Sequence, residues 1–216
     1  MQANYVQRIR LQFSKEGTTI YIGHLDLART LERSVNRADI PIAYTQGFNK
    51  RPRMQLADAL PLGFSSECEL VDLWLAEEMD PDEVQRRLEP VLPKGIALHS
   101  VRDISLSQEP LQTQTKEAVY EVFIDRMFLP LELRTWIDGV MNETTIIRER
   151  RGKEYDLRPR IVSMEEIEGG EKEAVIRMRL TMTSGAVGRP DEVLMEMGMD
   201  PDEVRIHRTQ IVLESK

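Results

Sequence analysis

Residues 5–13 read YVQRIRLQF and residues 25–38 read LDLARTLERSVNRA. In the first stretch apolar and polar side chains largely alternate, which places Tyr5, Ile9, Leu11 and Phe13 on one buried face of a strand, and Lys15-Glu16-Gly17 supplies a turn after it. In the second, Leu27, Ala28, Leu31, Val35 and Ala38 recur at helical spacing, and Arg29, Arg33 and Arg37 follow one another four residues apart along a different side of the cylinder. Beyond this strand and helix, 40–52 reads as a loop punctuated by Pro41, Gly47 and Pro52, and 54–60 and 69–76 read as a strand hairpin. Asp80-Pro81-Asp82-Glu83 starts a second helix, with a capping aspartate, proline at the first helical position and acids at the positive helix end. That helix runs to about Leu88, because Pro90 follows closely, and 96–104 reads as a fourth strand. The resulting order, β-α-β-β-α-β, is that of the ferredoxin-like split unit.

The second half repeats the order less clearly. Strands are expected at 118–124, 144–150, 174–183 and 204–213, and helices at 129–141 and 189–197. Residues 105–116, rich in Gln and Ser, read as a linker. The fold class expected is therefore α+β, two tandem ferredoxin-like units with antiparallel sheets, divided as 1–108 and 109–216. Met-Asp-Pro-Asp-Glu-Val occurs at 79–84 and again at 199–204, where the same turn chemistry precedes a strand instead of a long helix.

At 216 residues the chain is long enough for two small domains, and 41% hydrophobic with 31% charged residues is the balance of a globular protein with an interior. No apolar run reaches the roughly 18 to 20 residues that cross a bilayer, and no secretory signal opens the chain, so a cytoplasmic location without membrane partners is expected. The single cysteine, Cys68, sits between two glutamates and reads as a packing residue. Cysteine-ligated clusters within the chain are excluded, and three scattered histidines give no metal-ligand spacing. No P-loop, dinucleotide glycine fingerprint or nucleophile elbow is present, so no cofactor and no complete catalytic constellation is expected.

The net charge of −8 argues against indiscriminate coating of nucleic acid. Two segments run against it. Residues 24–53 hold Arg29, Arg33, Arg37, Lys50, Arg51 and Arg53 against three acids, and residues 144–160 hold Arg148, Arg150, Arg151, Lys153, Arg158 and Arg160 against three. In Gln46-Gly47-Phe48-Asn49-Lys50-Arg51-Pro52-Arg53, an aromatic face and an amide stand beside three cations, a set that suits a phosphate-bearing or single-stranded RNA ligand. Arg29, Arg33, Arg37, Phe48, Asn49, Lys50, Arg51, Arg53, Arg148, Arg150, Arg158 and Arg160 are accordingly the candidate ligand-binding residues. The bland reading is a pair of solvated charged faces. His24 and Asp26, at the start of the first helix, are candidates for proton transfer, or else cap the helix.

Gly23-His24-Leu25-Asp26, Gln46-Gly47-Phe48-Asn49 with Arg51-Pro52-Arg53, Leu60-Pro61-Leu62-Gly63, Asp156-Leu157-Arg158-Pro159, Arg189-Pro190-Asp191-Glu192-Val193 and Arg205-Ile206-His207-Arg208-Thr209 occur in that order over nearly the whole chain. With these strings the chain resembles the bacterial radical-SAM-linked family, a domain of unknown function encoded beside or fused to a radical S-adenosylmethionine (SAM) enzyme. The resemblance implies an accessory role to that enzyme as partner, with RNA as a possible substrate. It transfers no catalytic residues. Three function classes follow: an accessory protein holding RNA or another anionic substrate, an RNA-processing or RNA-modifying enzyme using His24, and a protein-protein scaffold.

Overall fold

The computed structural model describes residues 4–46, 48–129, 132–150 and 152–214. The chain is α+β, with few helices and mostly antiparallel sheets, and it divides into two compact units, 1–114 and 115–216.

In the first unit, strand β1 (Gln7–Lys15) leads through a single 3-10 turn to helix α1 (His24–Arg37), then to the short β2 (Met54–Leu56), the long β3 (Ser65–Leu75), α2 (Pro81–Leu88) and β4 (Ile96–Ile104). The strands lie in the order β4-β1-β3-β2, every neighbour antiparallel. Ile9, Leu11 and Phe13 of β1 meet Leu27, Leu31 and Val35 of α1 and Val84 and Leu88 of α2 in one core. The expected hairpin strand 54–60 is shorter, ending at Leu56 where the chain bends at Ala57-Asp58, and its partner is longer, beginning at Ser65.

The other face of β1 departs from the alternation read in the sequence. Arg8 and Arg10, whose period places them toward water, are buried. Asp72, in register with Arg10 on β3, accepts from Arg8 Nη2 at 2.6 Å and from Arg10 Nε at 2.7 Å. Arg8 also donates to the carbonyls of Gln108 (2.6 Å) and Glu109 (3.0 Å), and Gln114 donates to the Glu109 carbonyl at 2.5 Å. Residues 105–114 are thus tied to the first unit and end in a helical turn, α3 (Leu111–Gln114). The linker expected over 105–116 and the boundary expected at 108/109 give way to a division after Gln114.

In the second unit, β5 (Thr115–Asp125) is followed by α4 (Leu133–Asn142), β6 (Ile147–Arg150), β7 (Lys153–Asp156), β8 (Ile161–Ile167), β9 (Glu173–Thr183), β10 (Ala186–Val187), α5 (Pro190–Glu196) and β11 (Arg205–Leu213). Its sheet runs β11-β5-β9-β8, again antiparallel throughout, with β10 folded back on the end of β9. Ala118, Tyr120, Val122 and Ile124 alternate along β5 toward the interior, where Leu133, Ile137 and Val140 of α4 are also buried. The strand expected at 144–150 is not the sheet neighbour of β9. It shortens to β6 and pairs with β7 as a separate two-stranded ribbon, and β8 takes the place beside β9. The two Met-Asp-Pro-Asp-Glu-Val copies share their turn: Asp80 and Asp200 accept from the backbone N–H two residues on, at 2.8 and 2.9 Å.

Candidate functional site

Helix α1 buries Leu27, Leu31, Ser34 and Val35, so the residues half a turn away, Arg29, Arg33, Asn36 and Arg37, point outward. The segment after it is more ordered than a loop. Tyr44 and Pro52 form a bridge, Thr45 and Arg53 donate backbone N–H groups to the Arg51 and Ala43 carbonyls, and Ala43 and Trp74 tie the arms to β3. Residues 42–46 and 48–53 are therefore the arms of a hairpin-like extension, with Phe48, Asn49 and Lys50 toward its tip. The Tyr44 hydroxyl lies 3.3 Å from Asn36 Oδ1, joining the base of this extension to the outward face of α1 one turn from Arg33.

Among the described residues, Arg33, Arg37, Lys50 and Arg51 are exposed and their side chains make no ion pair or hydrogen bond. Arg29 pairs loosely with Asp26 at 3.4 Å in full solvent. Arg53 is held apart from this set, its guanidinium stacked over the Tyr5 ring at 4.5 Å and over Trp74 at 5.3 Å. At the start of α1 the cap is Gly23, which offers no side chain, so neither His24 nor Asp26 caps the helix as expected. His24 is half-buried at the first helical position, and Asp26 faces Arg29. Gly63 N–H donates to the Ile20 carbonyl, which brings Leu62 of the Leu60-Pro61-Leu62-Gly63 string beside the turn that precedes His24.

The second basic segment is occupied with its own unit. Arg148 pairs with Glu196 at 3.3 Å and Arg150 with Glu192 at 3.9 Å. The match is one of spacing: two residues along a strand advance roughly 6.6 Å and four along a helix about 6 Å, so β6 and α5 present their charges in step. Arg158 donates to the carbonyls of Met141, Glu143 and Ile161 at 3.0 to 3.1 Å, closing off the end of α4. Asp156 accepts from the Ile146 and Arg158 N–H groups, so the Asp156-Leu157-Arg158-Pro159 string pins the base of the β6-β7 ribbon. Arg160 stacks over Tyr155 at 3.9 Å and donates to the Val187 carbonyl; burial and the nearby Arg150 lower its pKa, with Asp156 opposing them. Arg148, Arg150, Arg158 and Arg160, expected to bind ligand, are thus engaged within the protein. Arg151 lies outside the described residues. Glu192 is buried, one carboxylate oxygen has no hydrogen-bond partner among the described residues, and burial raises its pKa against the pull of Arg150 and Arg148.

Sequence reasoning missed Tyr44 and Asn36, whose hydrogen bond gives the basic surface its continuity. It also passed over a cleft of about 540 Å³ in the second unit, between α4 and β8, lined by Arg126, Arg134, Asp138 and Glu166 among others. No group of three or more His, Cys, Asp or Glu side chains fit to hold a metal occurs among the described residues. No helix among them is long and apolar enough to cross a membrane.

Residues 8–190 match the model of a family described as "Uncharacterized protein conserved in bacteria (DUF2344)". The chain belongs to this family. The match takes in both the α1 surface and the β6-β7 ribbon, and stops at the first residue of α5. Nothing among curated proteins matches significantly. Similar solved structures include chains of a Cbf5-Nop10-Gar1 complex (TM-score 0.49, 10% identity, 96% of this chain and 49% of that one) and of an H/ACA RNP bound to a substrate RNA containing 2'-deoxyuridine (0.47, 10%, 96% and 48%). An unknown protein from Galdieria sulphuraria is matched over 97% of this chain and 99% of its own at TM-score 0.29 and 14% identity. The chain spans about half the length of the first two, and likenesses this loose do not bear on what it does.

Proposed function

We propose that the chain is an accessory protein that holds an RNA or other anionic substrate on the basic face of its first unit, for a radical SAM enzyme as partner. The observation that carries the binding reading is the set Arg33, Arg37, Lys50 and Arg51, exposed and unpaired among the described residues in a chain of net charge −8, with the hairpin that bears two of them tied to the helix that bears the others. Leaving four cations unpaired in a protein with an excess of acids gains nothing for folding and favours an external polyanion. The partner rests on the six sequence strings alone. We also read both units as ferredoxin-like; the shared strand orders, β4-β1-β3-β2 and β11-β5-β9-β8, support this.

His24 has no hydrogen-bonded carboxylate among the described residues to orient its imidazole, so binding is favoured over proton transfer. The test is a gel shift with cellular RNA at fixed salt, comparing the parent with a variant carrying Ala at 33, 37, 50 and 51. Retention lost in the variant is the expected result, and equal retention by both proteins removes the reading. Co-purification from the native host, with the bound protein identified, tests the radical SAM partner separately.

A further inference from the structure

Phe48 is fully exposed, at 110% of its reference surface, at the tip of an extension whose two arms are held in register by the Thr45–Arg51 and Ala43–Arg53 hydrogen bonds. A bare polyanion gives an apolar ring nothing to contact. A solvated aromatic beside an ammonium and a guanidinium group instead matches the two halves of an unpaired nucleotide, a flat base face and a phosphate. A duplex keeps its base faces inside the stack and shows only phosphates and groove edges.

Resting on the reading of this surface as a ligand face, we infer that the ligand is a single-stranded nucleic acid with at least one unstacked base, which lies on the Phe48 ring while Lys50, Arg51, Arg33 and Arg37 neutralise the neighbouring phosphates. The Asn49 amide, next to the ring, carries both donors and an acceptor for a base edge. Phe48 is then the residue that separates nucleic acid from other polyanions, and the cations set affinity without regard to base.

The experiment measures binding of the full chain to three labelled probes of equal length at about 50 mM salt: a single-stranded RNA, the same strand with abasic sugars, and its duplex. The single strand is expected to bind about tenfold more tightly than the abasic probe, the scale of one base-aromatic stack. Phe48→Ala should erase that difference and Phe48→Trp keep it, while Lys50→Ala with Arg51→Ala should weaken all three probes alike. Phe48 touches nothing that folding needs, so a folded Phe48→Ala protein is expected. If the abasic probe or the duplex binds as well as the single strand, the stacking inference is overturned and the basic-surface reading stands. If no probe binds, both fall.

Discussion

Residues 24–53 and 144–160 carry the same excess of three positive charges and meet opposite ends. In the first, arginines four apart on a helix line up opposite the core, where, among the described residues, Asp26 alone pairs with Arg29. In the second, arginines two apart on a strand face glutamates four apart on a helix, and a guanidinium at the turn finds three carbonyls. The difference teaches that net charge along a segment does not define a binding surface. What matters is whether a neighbouring element offers acceptors at the same repeat distance.

Four measurements break or sharpen this contrast. The largest effect is expected from Ala at 33, 37, 50 and 51 together: RNA affinity falls on the order of a hundredfold at low salt, and the slope of log affinity against log salt flattens by up to about three, since each phosphate neutralised on a single strand contributes roughly 0.7. Thermal unfolding of that variant should barely move. Arg158→Ala should do the reverse, lowering stability in urea by about 2 kcal/mol through three carbonyls deprived of a charged donor, with RNA binding intact. Tyr44→Phe removes the hydroxyl that joins hairpin to helix, and a loss of RNA affinity of about threefold is expected in the same binding assay.

The smallest effect concerns Glu192. Its folded pKa lies above the unfolded value because burial disfavours the charge, so its contribution to stability is present in acid and is lost as pH rises through the folded pKa. Glu192→Gln is expected to flatten the dependence of unfolding free energy on pH above the ordinary carboxylate range, by less than about 1 kcal/mol. An unchanged pH profile would show that the pair with Arg150 cancels the burial cost.

Much of the first unit was legible because its elements follow simple periods. Strand β1, helix α1 with its apolar stripe, and the Asp-Pro start of α2 fall within two residues of their expected places. Strand β8 was not legible. Its buried positions, Ile161 and Met164, stand three apart because the register slips between Ile161 and Ser163, and a bulge destroys the alternation by which a strand is recognised. The cations at 33, 37, 50 and 51 were legible from spacing and composition. The engagement of Arg148 and Arg150 was not, since Glu196 and Glu192 lie more than forty positions away and only the fold brings them close. Arg8 and Arg10 misled for the same reason, their counter-charge being Asp72 on a strand yet to be paired.

The hold of Arg8 on the carbonyls of Gln108 and Glu109 bears on how the chain can be cut. A fragment ending at 108 would strip Arg8 of one acceptor and Arg10 of the Gln114 amide, leaving two guanidinium groups to share Asp72 with a side of their cage open to water. A fragment ending at 114 keeps the cage closed. The six residues 109–114, unremarkable in composition, therefore carry acceptors on which both buried guanidinium groups of β1 depend.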